Sequence, residues 1–224
     1  MHGWELSPKE AIEVQKRLAG AVREEPLRRT ARLVAGCDVS FNRFENIAYA
    51  AIVVLDYKSL EVVESVNGAF EANFPYIPGL LSFRETPPLI KLFERVKSKV
   101  DLIVVDGQGV AHPRRFGIAS HIGVLMELPT IGCAKNLLIG EYRQPGNERG
   151  SWVELMDGGE RIGAVLRTRK GVKPVFVSVG HKITLKDSIE AILRLTPRFR
   201  IAAPIRAAHG ESNLLRKMKG KEGS

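Results

Sequence analysis

The sequence predicts an α/β fold with one mixed β-sheet, in which three antiparallel strands come first, parallel central strands follow, and helices flank the sheet. The first observation is a helix-start signature near the N-terminus, and the second is a run of three segments rich in β-branched and aromatic residues. The third is the continuous apolar segment DLIVVDGQG, which is typical of a strand covered by helices on both faces. The predicted order is βββαβαβ with additions.

The N-terminal helix is predicted from Ser7-Pro8-Lys9-Glu10, which has the form of a capping box with proline in the first turn. The apolar residues of AIEVQKRLAG continue this helix to about Ala19. The segments LVAGCDVSF, IAYAAIVVLDY and LEVVESVNGAF follow, separated by short polar turns. They predict an antiparallel meander of three strands.

The next helix is predicted from Glu85 through ETPPLIKLFERVKSK, because its apolar residues recur on one helical stripe and its prolines are expected in the first turn. The strand DLIVVDGQG comes next, then a helix through GIASHIGVLMEL and a short strand at PTIGC. Two more strands are predicted around ERIGAVLRT and KPVFVSVG, and a helix from about Thr184 to Leu195.

The composition indicates the class of partner and the compartment. The chain carries 34 Lys and Arg against 25 Asp and Glu, a formal net charge of +9. This excess makes a phosphate backbone the leading partner class, although scattered Lys and Arg can equally form a solvated surface. The two cysteines, Cys37 and Cys133, fit neither a disulfide framework nor zinc spacing. A reducing, cytoplasmic location with both cysteines buried is expected.

The 224 residues are expected to form a single domain, residues 1–224, since no repeat or linker divides them. The chain begins without the pattern of a secretory signal and has no apolar run of membrane-spanning length, so no membrane partner is expected. The periodicity is lost after Leu215, which predicts a basic, flexible tail from about residue 216. No long apolar face is left over, so a monomer is expected.

Three acidic residues could carry chemistry. Asp38 ends a hydrophobic strand at GCDVSF and Asp106 ends another at VVDGQG, which would place both carboxylates at the ligand-binding edge of the sheet. Two such carboxylates suit Mg²⁺ or Mn²⁺ between them. The alternative is that each aspartate only begins a turn. Glu85, taken alone, is expected to be a partner for a helix dipole.

The segment DGQGVAHPRRFGIASH places glycines and cations between a strand and a helix, where backbone amides can hold phosphate. It matches neither a Walker loop nor a dinucleotide fingerprint. His112 and His121 lack further ligands at zinc spacing, so structural or supporting roles are expected. Ser120 and His121 are adjacent and cannot face one another as nucleophile and base, so a serine-hydrolase site has no support here.

The segment Pro75-Tyr76-Ile77-Pro78 holds an aromatic and an aliphatic side chain between two prolines. A rigid apolar projection of this kind could be a wedge that enters a base step of nucleic acid. The alternative is a loop whose Tyr76 and Ile77 pack into the core.

Four motifs, GCDVSF, FPYIPGLLSFRE, DGQGVAHPRRFGIASH and TIGCAK, occur in this order from roughly Ala31 to Lys135. In order and spacing they resemble the endonuclease V family, the deoxyinosine 3′ endonucleases, and VSVGH and His209 extend the resemblance toward the C-terminus. The resemblance implies a ribonuclease H-like fold. Cys37 departs from the family pattern, where valine or another apolar residue is expected.

The resemblance also implies roles for individual residues. Asp38, Asp106 and Glu85 match the family's Mg²⁺ ligands, and Tyr76 matches the tyrosine of its wedge. Lys135 matches the lysine of its GxAK motif, while His112 and His209 match histidines near the scissile phosphate. The implied pocket for an extruded hypoxanthine base comprises Gly79, Leu80, Leu81, Gly107, Gly109, Gly117 and Ala134.

The implied reaction is attack of a metal-activated water on DNA at the second phosphodiester bond 3′ to deoxyinosine, leaving 3′-hydroxyl and 5′-phosphate ends. Mg²⁺ is the expected cofactor, and Mn²⁺ is expected to substitute for it. The expected partner is DNA containing deoxyinosine or another deaminated base. Cleavage of inosine-containing RNA, another ribonuclease H-like nuclease activity, and a non-catalytic nucleic-acid-binding protein are the alternatives.

Overall fold

A computed structural model describes residues 2–42 and 46–222. Eight strands form one mixed sheet in the order β3-β2-β1-β4-β5-β8-β7-β6. The strands are β1 (Leu33–Phe41), β2 (Ile47–Asp56), β3 (Val62–Glu71), β4 (Leu102–Val105), β5 (Thr130–Ala134), β6 (Trp152–Asp157), β7 (Glu160–Leu166) and β8 (Val175–His181). The helices are α1 (Pro8–Ala19), α2 (Leu81–Phe93), α3 (Ile118–Met126), α4 (Leu185–Leu195) and α5 (Ala203–Glu222).

The first three strands form the predicted antiparallel meander, and β4 runs parallel to both β1 and β5. In the β1–β4 ladder Cys37 lies opposite Val105. The next residues along the chain are Asp38 in β1 and Asp106 just after β4, which therefore lie at the same level of the sheet.

The strands alternate between two apolar cores, as expected for a sheet covered on both faces. Ala35, Cys37, Ile103 and Val105 face one core with α2 and α3. Val34, Leu102 and Val104 face the other core with α4 and α5. A Cβ atom on Gly36 of β1 would meet the backbone carbon of Pro204 at 2.2 Å. The glycine therefore permits the close approach of α5 to β1.

The N-terminal helix has the predicted bounds, and its predicted capping box joins Ser7 and Glu10. The start of α2, by contrast, was predicted four residues too late. It begins at Leu81, so Pro87 and Pro88 lie inside the helix rather than in its first turn. Proline has no N–H to donate, and the carbonyls one turn earlier lose their intrahelical partners there. Packing of α2 on the sheet offsets that loss.

Three further differences concern the ends of elements and the far edge of the sheet. Asp38 lies inside β1, which continues to Phe41, rather than at its end. The edge strand β6 was not predicted, because only Leu155 among its residues is buried. The loss of regular structure predicted after Leu215 is wrong, since α5 continues to Glu222. Extending an anchored helix costs little, so that last stretch needs no apolar face.

Among the described residues, no helix is long and apolar enough to cross a membrane. Both cysteines are buried and unpaired, as predicted. Burial raises the pKa of the Cys133 thiol to about 12. It raises the pKa of Cys37 further.

Candidate active site

Five predicted residues meet at one cavity of about 360 Å³ at the edge of the sheet. Asp38 comes from β1 and Asp106 directly follows β4, while Glu85 enters from α2 on one face of the sheet. Lys135 follows β5, and His209 enters from α5 on the other face. Because both aspartates line the same cavity, a shared role is favoured over the alternative that each merely begins a turn.

The Asp38 carboxylate is held by α5. The Ser212 hydroxyl donates to Oδ2 of Asp38, and Nδ1 of His209 lies 3.3 Å from each carboxylate oxygen. His209 and Ser212 are three residues apart, a spacing that places both on one side of a helix. Sequence reasoning missed Ser212. Its three-residue spacing from His209 was the available signal, but α5 itself had not been predicted.

The Asp106 carboxylate is paired with Lys135, whose ammonium donates to Oδ2. The backbone at Lys135 is fixed in turn, because Nη2 of Arg200 donates to the Lys135 carbonyl oxygen over 2.7 Å. The Lys135 ammonium is thus held against the Asp106 carboxylate, and Lys135 lines the cavity.

Glu85 is the fifth residue of α2, not the first of a helix, so its expected role as a dipole partner is wrong. Glu85 is half-buried and lines the cavity. Burial and, after it, the Asp38 and Asp106 carboxylates together raise the pKa of Glu85 to about 8, while Arg84 opposes the shift. Three carboxyl groups here thus carry more negative charge than Lys135 offsets, and Glu85 holds a proton at neutral pH.

This donor set fits a divalent cation that prefers oxygen. Carboxylate oxygens on two rigid strands and one helix are the ligands of Mg²⁺ and Mn²⁺, and a cation between them would remove the charge repulsion at Glu85. Within residues 2–42 and 46–222, no three Cys, His, Asp or Glu side chains are already arranged to hold a metal ion. Ser212 and Lys135 instead donate to Oδ2 of Asp38 and of Asp106.

A second cavity, of about 260 Å³, lies beside the first and shares the residues Leu81, Gly107, Ile118 and Asn136 with it. Of the predicted base-pocket residues, Gly79, Leu81, Gly107 and Gly117 line this second cavity. Leu80 is instead packed beneath it with Phe83. Ala134 lines the carboxylate cavity.

Gly109 has a packing role rather than a lining one. A Cβ atom there would meet the Val179 carbonyl oxygen at 1.9 Å, so only glycine lets this backbone lie against β8. Asn136, which was not predicted, lines both cavities, and its carbonyl oxygen accepts from Nε2 of Gln108 over 3.2 Å.

The predicted wedge lies at the rim of the second cavity. Tyr76 is 71% exposed, which excludes the alternative of a core tyrosine. Ile77 is half-buried and packs on the cluster formed by α1 and α2, while Pro78 lines the cavity beside Tyr76. Pro75 lies on the other side of the segment, where it lines a separate cavity with Trp4. The segment therefore projects an aromatic ring from a fixed base.

The two predicted histidines of the glycine-rich region are both buried. His112 lines the second cavity instead of the carboxylate cavity, and its Nε2 lies 3.0 Å from the Gly79 carbonyl oxygen. Its Nδ1 accepts from the Arg114 amide over 3.2 Å, so Nε2 carries the proton and donates. Burial lowers the pKa of His112 to about 4, and that of His121 to about 3. Both rings are neutral at pH 7.

A mixed sheet that begins with an antiparallel meander, and that brings carboxylates from two adjacent parallel strands into one cavity, defines a nuclease of the ribonuclease H-like class. Residues 16–210 match the family model Endonuclease V. The chain therefore belongs to the endonuclease V family of metal-dependent endonucleases, as the sequence motifs predicted.

Relatives cover nearly the whole chain. Endonuclease V of Trichormus variabilis is 48% identical over 208 residues, which are 92% of this chain and 94% of that protein. The crystal structure of endonuclease V from Streptomyces avermitilis superposes with a TM-score of 0.91 at 43% identity, over 99% of this chain and 97% of the other. Endonuclease V of Ciona intestinalis, solved with a 24mer DNA containing an inosine followed by a ribo-adenosine, gives a TM-score of 0.82 at 26% identity, over 94% and 98%.

Proposed function

We propose that this endonuclease nicks DNA at the second phosphodiester bond 3′ to deoxyinosine, the product of adenine deamination, and leaves 3′-hydroxyl and 5′-phosphate ends. The observation that carries the proposal is that the two cavities share a wall at Leu81, Gly107, Ile118 and Asn136. A base turned out of the duplex into the second cavity would leave its 3′ backbone beside the carboxylates. The inosine-containing DNA bound by the Ciona relative supports the choice of lesion.

Asp38, Asp106 and Glu85 would hold Mg²⁺, and Mn²⁺ would substitute for it because both ions prefer oxygen ligands. When bound, the metal would activate a water for attack on phosphorus and offset the charge that develops on the phosphate. Loss of the Glu85 proton, whose pKa is raised to about 8, would accompany metal binding.

The remaining residues would act on the substrate strand. Lys135 would place a point charge beside the cleaved phosphate, where it offsets negative charge in the transition state. His209 is 54% exposed at the mouth of the same cavity and can reach a phosphate oxygen there while it orients Asp38. Tyr76 would occupy the gap left in the stack, and the formal charge of +9 would attract the backbone over a longer range. One chain holds all these groups, so we propose that it acts as a monomer.

The test is nicking of matched duplexes with and without one deoxyinosine, at equal ionic strength, with Mg²⁺ or with a chelator. We expect Mg²⁺-dependent nicking of the inosine strand alone, at the second bond on its 3′ side. Asp106→Asn should abolish nicking and preserve binding, since the change removes charge without altering shape. Glu154→Gln, a carboxylate removed from the exposed edge strand β6, is the control and should retain full activity. Equal nicking of both duplexes would refute the proposal.

Cleavage of inosine-containing RNA is the second candidate. It is favoured by the ribo-adenosine that follows the inosine in the DNA bound by the Ciona relative. The same assay with an all-RNA strand, and with one ribonucleotide placed 3′ to deoxyinosine, separates the two candidates. A preference for DNA predicts no gain in rate from the added 2′-hydroxyl group, whereas an endoribonuclease requires it.

A further inference from the structure

The carbonyl oxygen of Gly79 accepts hydrogen bonds from three side chains. Nε2 of Gln15 donates to it over 3.1 Å, Nε2 of His112 over 3.0 Å, and Nη2 of Arg114 over 2.6 Å. Gly79 itself has a φ of +79°, a backbone conformation that favours glycine. It connects the Tyr76 segment to the start of α2, so this oxygen is the point at which that wall of the second cavity is anchored.

Gln15 also anchors the opposite wall. Its Nε2 donates to the Phe116 carbonyl oxygen over 3.0 Å, and its Oε1 accepts from Nε of Arg114 over 2.5 Å. Phe116 directly precedes Gly117, which lines the cavity from that side. One amide, 0% exposed and carried by α1, thus links the two walls, although α1 contributes no residue to either cavity lining.

The bonding of this amide indicates a geometric role. Both hydrogens of Nε2 and the oxygen of Gln15 have partners, so the buried group is satisfied. An apolar residue of the same shape would leave the Phe116 carbonyl oxygen and Nε of Arg114 without this partner, and it would leave free the distances and angles that the amide fixes. The distance fixed here is the separation between Gly79 and Phe116.

That separation matters because part of this cavity is lined by backbone. Gly79, Gly107 and Gly117 have no side chain that could change rotamer, so a shift of either wall shifts their backbone groups directly. Hydrogen bonds lose strength steeply as their distances and angles depart from the optimum. A small change in wall separation would therefore weaken contacts to the extruded base while leaving contacts to the backbone phosphates intact.

We infer that Gln15 is a positioning residue that sets the separation of the two walls of the base cavity and thereby the preference for inosine. The inference rests on the proposed function. It assigns to the N-terminal helix a part in lesion selectivity that is distinct from the chemistry at Asp38 and Asp106.

The test compares Gln15→Met, which keeps length and loses the amide, with Val14→Ala, which loosens the packing of the same helix without touching Gly79. Competition by unlabelled duplexes, with or without inosine, against nicking of a labelled inosine duplex gives the affinity for each. For Gln15→Met we expect the preference for the inosine duplex to fall by about tenfold, as expected for the loss of one well-formed hydrogen bond. Affinity for the inosine-free duplex should change by less than about twofold.

Val14→Ala should lower the melting temperature and leave the preference unchanged. Amide hydrogen exchange at Gly117 supplies a readout that needs no substrate, because its neighbour Phe116 accepts from Gln15 and its own amide donates to Gly109. We expect this exchange to rise in Gln15→Met but not in Val14→Ala, since Val14 packs with Leu80 and Phe83. If both variants lose the preference equally, or if Gln15→Met lowers only the melting temperature, the inference is overturned. A wild-type chain with no preference for inosine would overturn the proposed function as well, whereas a wild-type preference that survives Gln15→Met overturns the inference alone.

Discussion

The exposure of Tyr76 allows its proposed role as a wedge to be tested in isolation from folding. Truncating a fully buried aromatic residue costs about 3–5 kcal/mol. Less than a third of Tyr76 is buried, since it is 71% exposed, so Tyr76→Ala should cost about 1 kcal/mol of unfolding free energy at most. Stacking of an aromatic ring on a base is worth about 1–3 kcal/mol, which corresponds to about a 5- to 150-fold loss of affinity.

The assay is equilibrium binding to inosine in duplex and in single-stranded DNA, with thermal melts alongside. Pro75 and Pro78 restrict the segment, so the ring has little freedom to lose on insertion and its stacking energy should appear mostly as binding. We expect the loss for the Tyr76→Ala duplex complex to fall within the stated range. The defect should be partly relieved on the single strand, because a wedge is needed only to open a duplex.

Trp152→Ala is the matched control, because Trp152 is 45% exposed on the edge strand β6 at the far end of the sheet from β1. It should leave binding to both substrates unchanged. Equal losses on duplex and single strand for Tyr76→Ala, accompanied by a large fall in melting temperature, would refute the wedge and indicate a structural tyrosine.

Lys135, the divalent metal and His121 each provide a further test. Lys135→Met should slow single-turnover nicking by about 10²-fold, the usual effect of removing one preorganised group that stabilises charge. Lys170→Met, a substitution of an exposed lysine, is the control. A change in stability without a change in rate would show that Lys135 is structural. Mg²⁺ at about 100 times its Kd should stabilise the wild-type fold by about 2.7 kcal/mol. Asp106→Asn should lose most of this stabilisation by Mg²⁺. An equal rise in melting temperature for both proteins would argue against the metal assignment. His121 has a folded-state pKa lowered to about 3, first by burial and then by His2, and its unfolded value is about 6.5. Between these two pKa values the unfolded chain binds a proton at His121 that the folded chain does not. The contribution of His121 to the free energy of unfolding is therefore fully present above about pH 6.5. It is lost, by about 1.4 kcal/mol per pH unit, as the pH falls toward 3. Denaturant melts of His121→Phe should show a shallower acid slope, and an unchanged slope would show that His121 does not titrate in this range.

The part of the fold that the sequence predicted is the part with strong local patterns. The capping box at Ser7 and the β-branched segments of β1 to β3 specify their structure through nearby residues, and their bounds were close to those observed. The edge strand β6 has too few buried positions for such a pattern. Its turn was nevertheless visible in Gly158 and Gly159, whose φ values of +60° and +84° suit a two-residue hairpin loop.

The residues of the candidate site likewise differ in whether the sequence could predict their contacts. The proximity of Asp38 and Asp106 could be predicted, because the parallel pairing of their strands follows from the order of the elements. The contacts of Ser212 with Asp38 and of Gln15 with Gly79 could not be predicted in this way. Each joins residues more than fifty positions apart, and the periodicity of the helix that carries Ser212 or Gln15 does not indicate the contact. The misplaced start of α2 had a similar cause. Tertiary packing keeps Pro87 and Pro88 within a helix that local rules would begin later.

The proposed chemistry and the proposed recognition depend on different parts of this molecule. Asp38 lies on β1 and Asp106 directly follows β4, and both strands are interior and paired on both sides, so the sheet itself sets the positions of these two carboxylates. The second cavity, the proposed base pocket, is lined largely by loops, which need separate supports. Arg115, with a φ of +53°, is one of them: it donates to Asp157 and to Glu160, both over 2.8 Å, and ties the glycine-rich segment to the β6–β7 hairpin. Exposed ion pairs of this kind add little stability each, but they hold a strained residue in place. Substitutions remote from the carboxylates should consequently reduce selectivity for the lesion before they reduce the rate of cleavage.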